Sequence, residues 1–149
     1  MSGDAADCVC FNLRKATRSI THFYDAALRP SGLRATQFTV LNVVRRLAPA
    51  AGVTRIAAVA VIDRTTLTRS LALLARGGLI RLVSSADPRE RRYAVTVRGE
   101  RALARATPLW QAAQTQVATA LGDSRLQRLL GDLDKVVRAG RAAASGRRP

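Results

Sequence analysis

The stretch at residues 63–79, DRTTLTRSLALLARGGL, decides which fold the rest of the chain can build. As a helix it places three leucines on one stripe, at Leu67, Leu71 and Leu74. The opposite side then carries threonine, alanine and arginine at positions 65, 69, 72 and 76. Asp63 can cap the start of this helix, and Gly77 with Gly78 can end it where a left-handed residue is needed. We therefore predict a short capped helix with one apolar and one hydrogen-bonding face, which suits insertion into a DNA major groove.

The composition of the chain points to one domain and to a polyanionic partner. The 149 residues are 48% hydrophobic, enough for a core of ordinary size. The net charge of +15 comes almost wholly from arginine, since Lys15 and Lys135 are the only lysines. Double-stranded DNA is the leading candidate for the partner. No apolar run is long enough to span a bilayer, and the N-terminal MSGDAADC does not resemble a secretion signal. We expect no membrane partner and a cytoplasmic location.

Apolar spacing predicts three further helices before the central one. The first covers 8–28 and is stopped by RPSG at 29–32. The second covers 35–47, and a short third helix covers 54–61. A short helix, a tight turn and the capped helix at 63–79 together make a helix-turn-helix.

After Gly78 the hydrophobic period changes, which predicts a hairpin followed by two more helices. Strand candidates at 79–83 and 93–97 enclose the polar turn SSADPRER, and such a hairpin after a helix-turn-helix is a wing. Thr96 is placed to cap a helix over 98–120, which Pro108 should bend or divide. A last helix follows Gly122 and repeats apolar residues at Leu126, Leu129, Leu130, Leu133, Val136 and Val137.

The predicted fold class is mainly α with a small β-hairpin wing. A winged helix-turn-helix DNA-binding lobe at 33–97 is flanked by apolar helices at 8–28 and 98–142, within a single domain of residues 1–149. The flanking helices are expected to form a two-fold homodimer, which would hold two recognition helices about 34 Å apart, one turn of DNA. The alternative is that these helices close back on their own winged lobe.

The order of these elements resembles the MarR family of dimeric winged-helix transcription regulators. The resemblance covers about residues 10–137 and includes DRTTLTRSL, D-x-R-x-R at 87–91 and V-T-x-x-G at 95–99. It implies that the central helix reads the major groove of a pseudo-palindromic operator and that the wing reaches the minor groove. The predicted DNA-binding residues are Arg64, Thr65, Thr66, Thr68, Arg69, Arg89, Arg91 and Arg92.

The chemistry of these side chains agrees with that assignment. Arginine can donate twice to guanine or enter a narrow minor groove, while threonine offers a hydroxyl to phosphate and a methyl to thymine. Asp87 is expected to support the wing by pairing with Arg89 or Arg91, so that Asp87→Ala weakens DNA binding. A solvated surface charge is the alternative for each arginine, and it is favoured for Arg81, Arg98, Arg101 and Arg105.

Two cysteines in DCVCFNL are the candidate sensor. The start of a helix and the nearby Arg14 favour the reactive thiolate of Cys8 or Cys10, whereas Asp4 and Asp7 disfavour it. The organic-hydroperoxide-sensing branch of the same family is similar at C-F-x-L followed by a tyrosine fourteen residues after the cysteine. The matching residues are Cys10, Phe11, Leu13 and Tyr24. This chain departs from that branch at Arg14 and Ala35, where the branch has tyrosines.

Three interpretations of the cysteines stay open. Cys8 and Cys10 can sense oxidants together with Tyr24, bind a soft metal ion or an arsenite-type species through thiolates of both protomers, or serve only as packing residues. As metal ligands they are weak candidates, because no further ligand lies near them in the sequence. In this family a small-molecule effector commonly binds between the dimer helices and the winged lobe. The candidates there are Arg18, His22, Tyr24 and Trp110.

The sequence thus predicts a dimeric DNA-binding transcription regulator, acting as a repressor that an effector or cysteine modification releases. No cofactor is expected, and the absence of a phosphate loop, a metalloprotease motif or a catalytic triad argues against an enzyme. One alternative is a sequence-indifferent architectural DNA-binding protein, for which the charge alone would suffice. The other is a thiol-based peroxide-reactive enzyme that uses Cys10.

Overall fold

The computed structural model describes residues 4–85 and 90–146, and that part holds six α-helices and a three-stranded sheet. The helices are α1 (Val9–Leu28), α2 (Ala35–Arg46), α3 (Val53–Ala60), α4 (Arg64–Arg76), α5 (Val97–Leu121) and α6 (Asp123–Ser145). The strands are β1 (Ala51–Gly52), β2 (Ile80–Val83) and β3 (Arg92–Val95). The predicted class, mainly α with a small wing, is confirmed. Within the described ranges, no helix has the length and apolarity needed to cross a membrane.

The chain divides into two compact units, Met1–Gln111 and Ala112–Pro149. The first unit holds α1 to α4, the sheet and the first part of α5. Its core is made of side chains that are almost completely excluded from solvent, among them Leu28, Leu41, Ile56, Leu67, Leu71, Leu74 and Leu103. Burying a leucine contributes about 1.5–3 kcal/mol, so the leucines of α4 fix which of its faces points outward.

Both ends of α4 are closed as the sequence predicts. At its start Asp63 Oδ1 accepts a hydrogen bond of 2.9 Å from the Thr66 amide. At its end the Gly78 amide donates to the Ala75 carbonyl and the Leu79 amide donates to the Leu74 carbonyl, each at 2.9 Å. Gly78 has φ +68°, which glycine adopts without cost, so this is a Schellman ending.

The sheet has the order β1-β3-β2, and all its pairs are antiparallel. The strand β1 was not predicted, because residues 49–52 look like a simple break in the sequence. Tyr93 of β3 lies opposite Ala51 on one side and Leu82 on the other. The prediction that Val97 belongs to the second strand is wrong: β3 ends at Val95, and Val97 is the first residue of α5.

Thr96 joins the wing to the end of α4. Its hydroxyl donates to the Gly78 carbonyl at 2.6 Å and accepts from the Gly99 amide at 3.0 Å, so it caps α5 as predicted. A Cβ on Gly99 would overlap the Leu79 carbonyl oxygen, which means that only glycine allows this approach. The V-T-x-x-G pattern therefore has a structural cause.

The long helix α5 runs through Pro108 without interruption, so the expected division at this proline does not occur. Proline lacks only one backbone donor, and one missing bond is not enough to divide a helix of 25 residues. In the second unit Ala113 and Leu126 are buried, but Leu129 and Leu130 of α6 are 44% and 45% exposed. The second unit therefore leaves apolar side chains uncovered in the single chain.

Candidate nucleic-acid interface

The outward face of α4 carries the predicted major-groove residues. The exposed side chains on its first two turns are Arg64, Thr65, Thr66, Thr68 and Arg69. Thr65 and Arg69 lie opposite the buried Leu67 and Leu71, which are 0% and 1% exposed, while Arg64 and Thr68 flank that buried stripe. Hydrogen bonds from Thr66 lower the pKa of Asp63, so this carboxylate stays ionised and keeps capping the helix at neutral pH. The cap and the leucine stripe together present the face as a rigid unit.

The hydroxyl of Thr68 has a partner inside its own helix. Thr68 Oγ1 donates to the Arg64 carbonyl at 2.7 Å, and Ser70 Oγ donates to the Thr66 carbonyl at 3.1 Å. With its proton used in this way, Thr68 offers a methyl group and an acceptor oxygen. A methyl group suits a thymine C5-methyl, whereas a phosphate needs a donor. This geometry favours a base contact over a phosphate contact for Thr68.

The root of the wing contains an ion pair that the sequence did not indicate. Arg92 Nε donates to Glu90 Oε2 at 3.0 Å and Arg92 Nη2 lies 2.9 Å from the same oxygen, to which Ser85 Oγ also donates at 3.4 Å. Arg92, predicted as a DNA contact, is therefore already engaged by a carboxylate. The tip residues Asp87 and Arg89, predicted as wing support and DNA contact, lie outside the described residues.

A cavity of about 300 Å³ separates the helix-turn-helix from the wing. Its walls are Val53, Thr54, Arg64, Thr68, Leu71, Glu90, Arg91 and Tyr93. The fold thus brings Arg64, Thr68 and Arg91 together around one opening, although Arg91 is distant from the other two in sequence. Arg69 does not line this cavity and lies on a different part of the exposed surface of α4.

The candidate sensor residues are not assembled within one chain. Cys8 and Cys10 are free thiols and both are exposed. Tyr24 lies fourteen residues after Cys10 on the unbroken helix α1, which corresponds to about 21 Å along the axis. Tyr24 can therefore meet a Cys10 thiol only if that thiol comes from another chain.

Tyr24 instead faces a cavity of about 200 Å³ that Trp110 also lines. Trp110 stacks on Phe38 with ring centroids 6.0 Å apart, and burial raises the pKa of Tyr24, so the phenol is neutral near pH 7. Of the other effector candidates, His22 lines a different cavity and Arg18 lines neither.

No cluster of three or more histidine, cysteine, aspartate or glutamate side chains suited to a metal ion occurs in the described part of the chain. This leaves the two thiols of the N-terminal segment as the weak metal candidates that the sequence suggested.

Several solved structures are similar to this chain. The transcriptional regulator MosR of M. tuberculosis, crystallised in complex with DNA, is 40% identical, with a TM-score of 0.79 over 91% of this chain and 99% of that chain. A MarR-family regulator from Rhodococcus sp. RHA1 is 23% identical, with a TM-score of 0.73 over 91% and 97%. A mutant of MarR from E. coli, complexed with operator DNA, is 22% identical, with a TM-score of 0.75 over 83% and 89%.

A scan of protein-family models and a search of curated proteins give no match.

The chain belongs to the MarR family of winged helix-turn-helix transcriptional regulators. It is a DNA-binding transcriptional regulator.

Proposed function

We propose that the protein is a homodimeric repressor that binds a pseudo-palindromic operator and leaves it when Cys8 or Cys10 is modified. The observation that carries the proposal is the outward face of α4, capped at both ends and fixed by buried leucines beside the wing. That this chain is 40% identical to a regulator whose structure contains DNA supports the same use of the face here.

The arginines divide into two roles. Arg69 is the proposed base reader, because an exposed arginine on the first turns of the helix can donate twice to a guanine. Arg64 and Arg91 are the proposed phosphate contacts, since they line one opening between helix and wing. Arg91→Ala should weaken binding to all sequences alike and reduce the salt slope by about 0.9, the value for one phosphate contact.

Uncovered apolar side chains support the homodimer. In α6, Leu129, Leu130, Val136 and Val137 are between 38% and 45% exposed. In α1, Val9 and Ile20 are 62% and 40% exposed, although both fall on the predicted apolar stripe. Surfaces of this kind mark contact sites, and a second copy of the chain is the partner that a two-fold operator requires. A dimer lying across a promoter blocks transcription directly, which supports the repressor role. The cytoplasmic location of the protein stays a prediction.

The position of the cysteines supports release by modification. Both thiols are exposed at the start of α1, and the same helix ends in the core at Leu28, which is 0% exposed. Near that end Asp25 Oδ1 accepts a 2.7 Å hydrogen bond from the Ala35 amide, the first residue of α2. A displacement of α1 would therefore move α2, which packs against both helices of the helix-turn-helix, α3 and α4.

The proposed chemistry uses an organic hydroperoxide as oxidant. The Cys10 thiolate attacks the peroxide oxygen, the O–O bond breaks, and the products are a sulfenic acid and an alcohol. The Cys8 thiol then attacks the sulfenic sulfur, giving a disulfide and water. Both sulfurs supply electrons to the peroxide, so one hydroperoxide is reduced per disulfide formed.

Operator release in the presence of hydroperoxide tests this mechanism. A footprint on DNA flanking the protein's own gene supplies the operator, and release is then measured by fluorescence anisotropy. Wild-type protein should leave the operator on oxidation and return after thiol reduction, whereas Cys10→Ser should stay bound. Equal release of both proteins would overturn the redox mechanism. Release of wild-type protein by arsenite or Zn²⁺, but not by peroxide, would assign the thiols to metal or metalloid sensing.

A second route to release is a small-molecule effector in the cavity lined by Tyr24 and Trp110. The observation that favours it is the neutral, partly buried phenol beside a stacked aromatic pair. Release from the operator that does not depend on an oxidant, and that is lost in the Trp110→Ala variant, would support this route.

A further inference from the structure

The Glu90 carboxylate connects three segments at the root of the wing. Its Oε2 atom accepts a hydrogen bond from Nε of Arg92 on β3 at 3.0 Å and lies 2.9 Å from Nη2 of the same arginine. The same oxygen accepts from Ser85 Oγ, on the other arm of the hairpin, at 3.4 Å. Glu90 therefore ties the two arms of the wing together where they leave the sheet.

The other carboxylate oxygen lies against β1. A Cβ added to Gly52 would stand 2.6 Å from Glu90 Oε1, closer than nonbonded atoms approach. Gly52 pairs with Arg92 in the sheet and directly precedes α3, the first helix of the helix-turn-helix. Its φ of −72° suits any residue, so the position of the Glu90 carboxylate is what a side chain at residue 52 would disturb.

Glu90 also lines the opening between the helix-turn-helix and the wing. Arg64 and Thr68 of α4 form one wall of this opening, and Glu90 and Arg91 belong to the other. A carboxylate at a surface that binds DNA repels phosphate, and by its charge alone Glu90 should weaken binding. Its two hydrogen bonds, its ion pair with Arg92 and its contact with Gly52 point to a positional role that outweighs this repulsion.

We propose that Glu90 is a positioning residue for DNA recognition, which fixes the wing against β1 so that Arg91 faces Arg64 of α4 across a seat for a DNA backbone phosphate. Glu90 does this by engaging Arg92 and by packing on Gly52. The proposal rests on the DNA-binding role given above. It predicts that removing the negative charge of Glu90 lowers the affinity for the operator. Electrostatic repulsion alone would predict a higher affinity.

Glu90→Gln tests the sign. Gln has nearly the same shape but loses the charge-assisted pair with Arg92, so Arg91 is no longer held at the phosphate seat. Affinity should therefore fall about fivefold for the operator and for unrelated duplex alike. Higher affinity for both duplexes, with their ratio unchanged, would show that Glu90 is only an unfavourable charge and would overturn the proposal. Glu100→Gln is the matched control, since this exposed glutamate pairs with Arg45 at 3.8 Å outside the wing.

Gly52→Ala reaches the same contact from the other side. The new Cβ displaces the flexible end of Glu90, so the variant should fold normally and lose operator affinity as Glu90→Ala does. Combining Gly52→Ala with Glu90→Ala should add no further loss, because the displaced group is then absent. Additive losses in the double variant, or wild-type binding by Gly52→Ala, would contradict the proposal. Thermal unfolding of each variant checks that the fold is intact.

Arg69→Ala, measured beside these variants, separates the two proposals. If Arg69→Ala loses operator preference and the Glu90 variants keep wild-type affinity, the role of Glu90 is overturned while the proposed use of α4 stands. If the Glu90 variants lose operator affinity and Arg69→Ala does not, the role of Glu90 stands while the base-reading role of Arg69 is overturned.

Discussion

Thr96→Val removes the link between the wing and the end of the recognition helix. In the wild-type protein the Thr96 hydroxyl donates to the Gly78 carbonyl at 2.6 Å and accepts from the Gly99 amide at 3.0 Å. Valine keeps the branched shape of the side chain and fills nearly the same space, but it can make neither hydrogen bond. The substitution therefore isolates the two bonds from packing.

The expected loss of unfolding free energy is about 2 kcal/mol. Each hydrogen bond contributes about 0.5–1.5 kcal/mol net, and loss of a threonine cap costs about 0.5–2 kcal/mol. The Gly78 carbonyl and the Gly99 amide lose their partner at a half-buried position. The total loss of unfolding free energy is therefore expected near the middle of the range that these two contributions span. A change of about 2 kcal/mol lowers the folding equilibrium constant about thirtyfold.

Urea unfolding at equal protein concentration measures this loss, since the proposed homodimer would make the stability depend on concentration. Thr107→Val is the matched control, because the Thr107 hydroxyl donates only to the Leu103 carbonyl of its own helix, at 2.8 Å. Thr96→Ser should recover most of the stability. If Thr96→Val costs no more than Thr107→Val, the proposed link between wing and helix is refuted.

Three further predictions concern stability. Gly99→Ala should lower the unfolding free energy by about 1–3 kcal/mol in urea, because its Cβ meets a backbone carbonyl that cannot rotate away; wild-type stability would refute the close approach. Leu71→Ala should cost about 2–5 kcal/mol and Leu73→Ala less than about 0.5 kcal/mol, since these neighbours are 1% and 49% exposed; equal losses would contradict the assigned helix faces. Hydrogen bonds lower the pKa of Asp63, so its ionised form stabilises the fold above the unfolded-state value of about 4. That contribution is lost as the pH falls through the folded-state pKa. The wild-type protein should therefore exceed Asp63→Asn in unfolding free energy by a constant amount from pH 6 to 8, and by less in acid. A difference unchanged at pH 3 would refute the cap.

Local features of the fold were predictable from the sequence. The caps of α4 and its buried leucines depend on residues within one helix, and the structure shows them as expected. The same holds for Thr96, whose cap involves Gly99 only three residues away. Each of these features is specified by spacing along the chain.

Features that depend on distant pairing were not predictable. The two-residue strand β1 exists only because Ala51 and Gly52 meet β3, and no hydrophobic pattern marks so short a strand. The role of Glu90 depends on the same pairing, while the sequence drew attention to Asp87 in the D-x-R pattern. The apolar residues of α1 and α6 were recognised, but their exposure is visible only in the structure.

Selection of binding sites from random duplex DNA tests the central claim, that the outward face of α4 reads DNA as half of a two-fold pair. The wild-type protein should select a two-fold motif with half-site centres about 10 base pairs apart. Arg69→Ala should lose preference at one symmetric base position, at a cost of about 1–3 kcal/mol, and keep its non-specific affinity. Arg101→Ala, an exposed arginine of α5 with the same charge change, should select the wild-type motif. A wild-type protein that selects no motif, or an Arg69→Ala variant that selects the same motif as wild type, would contradict the account.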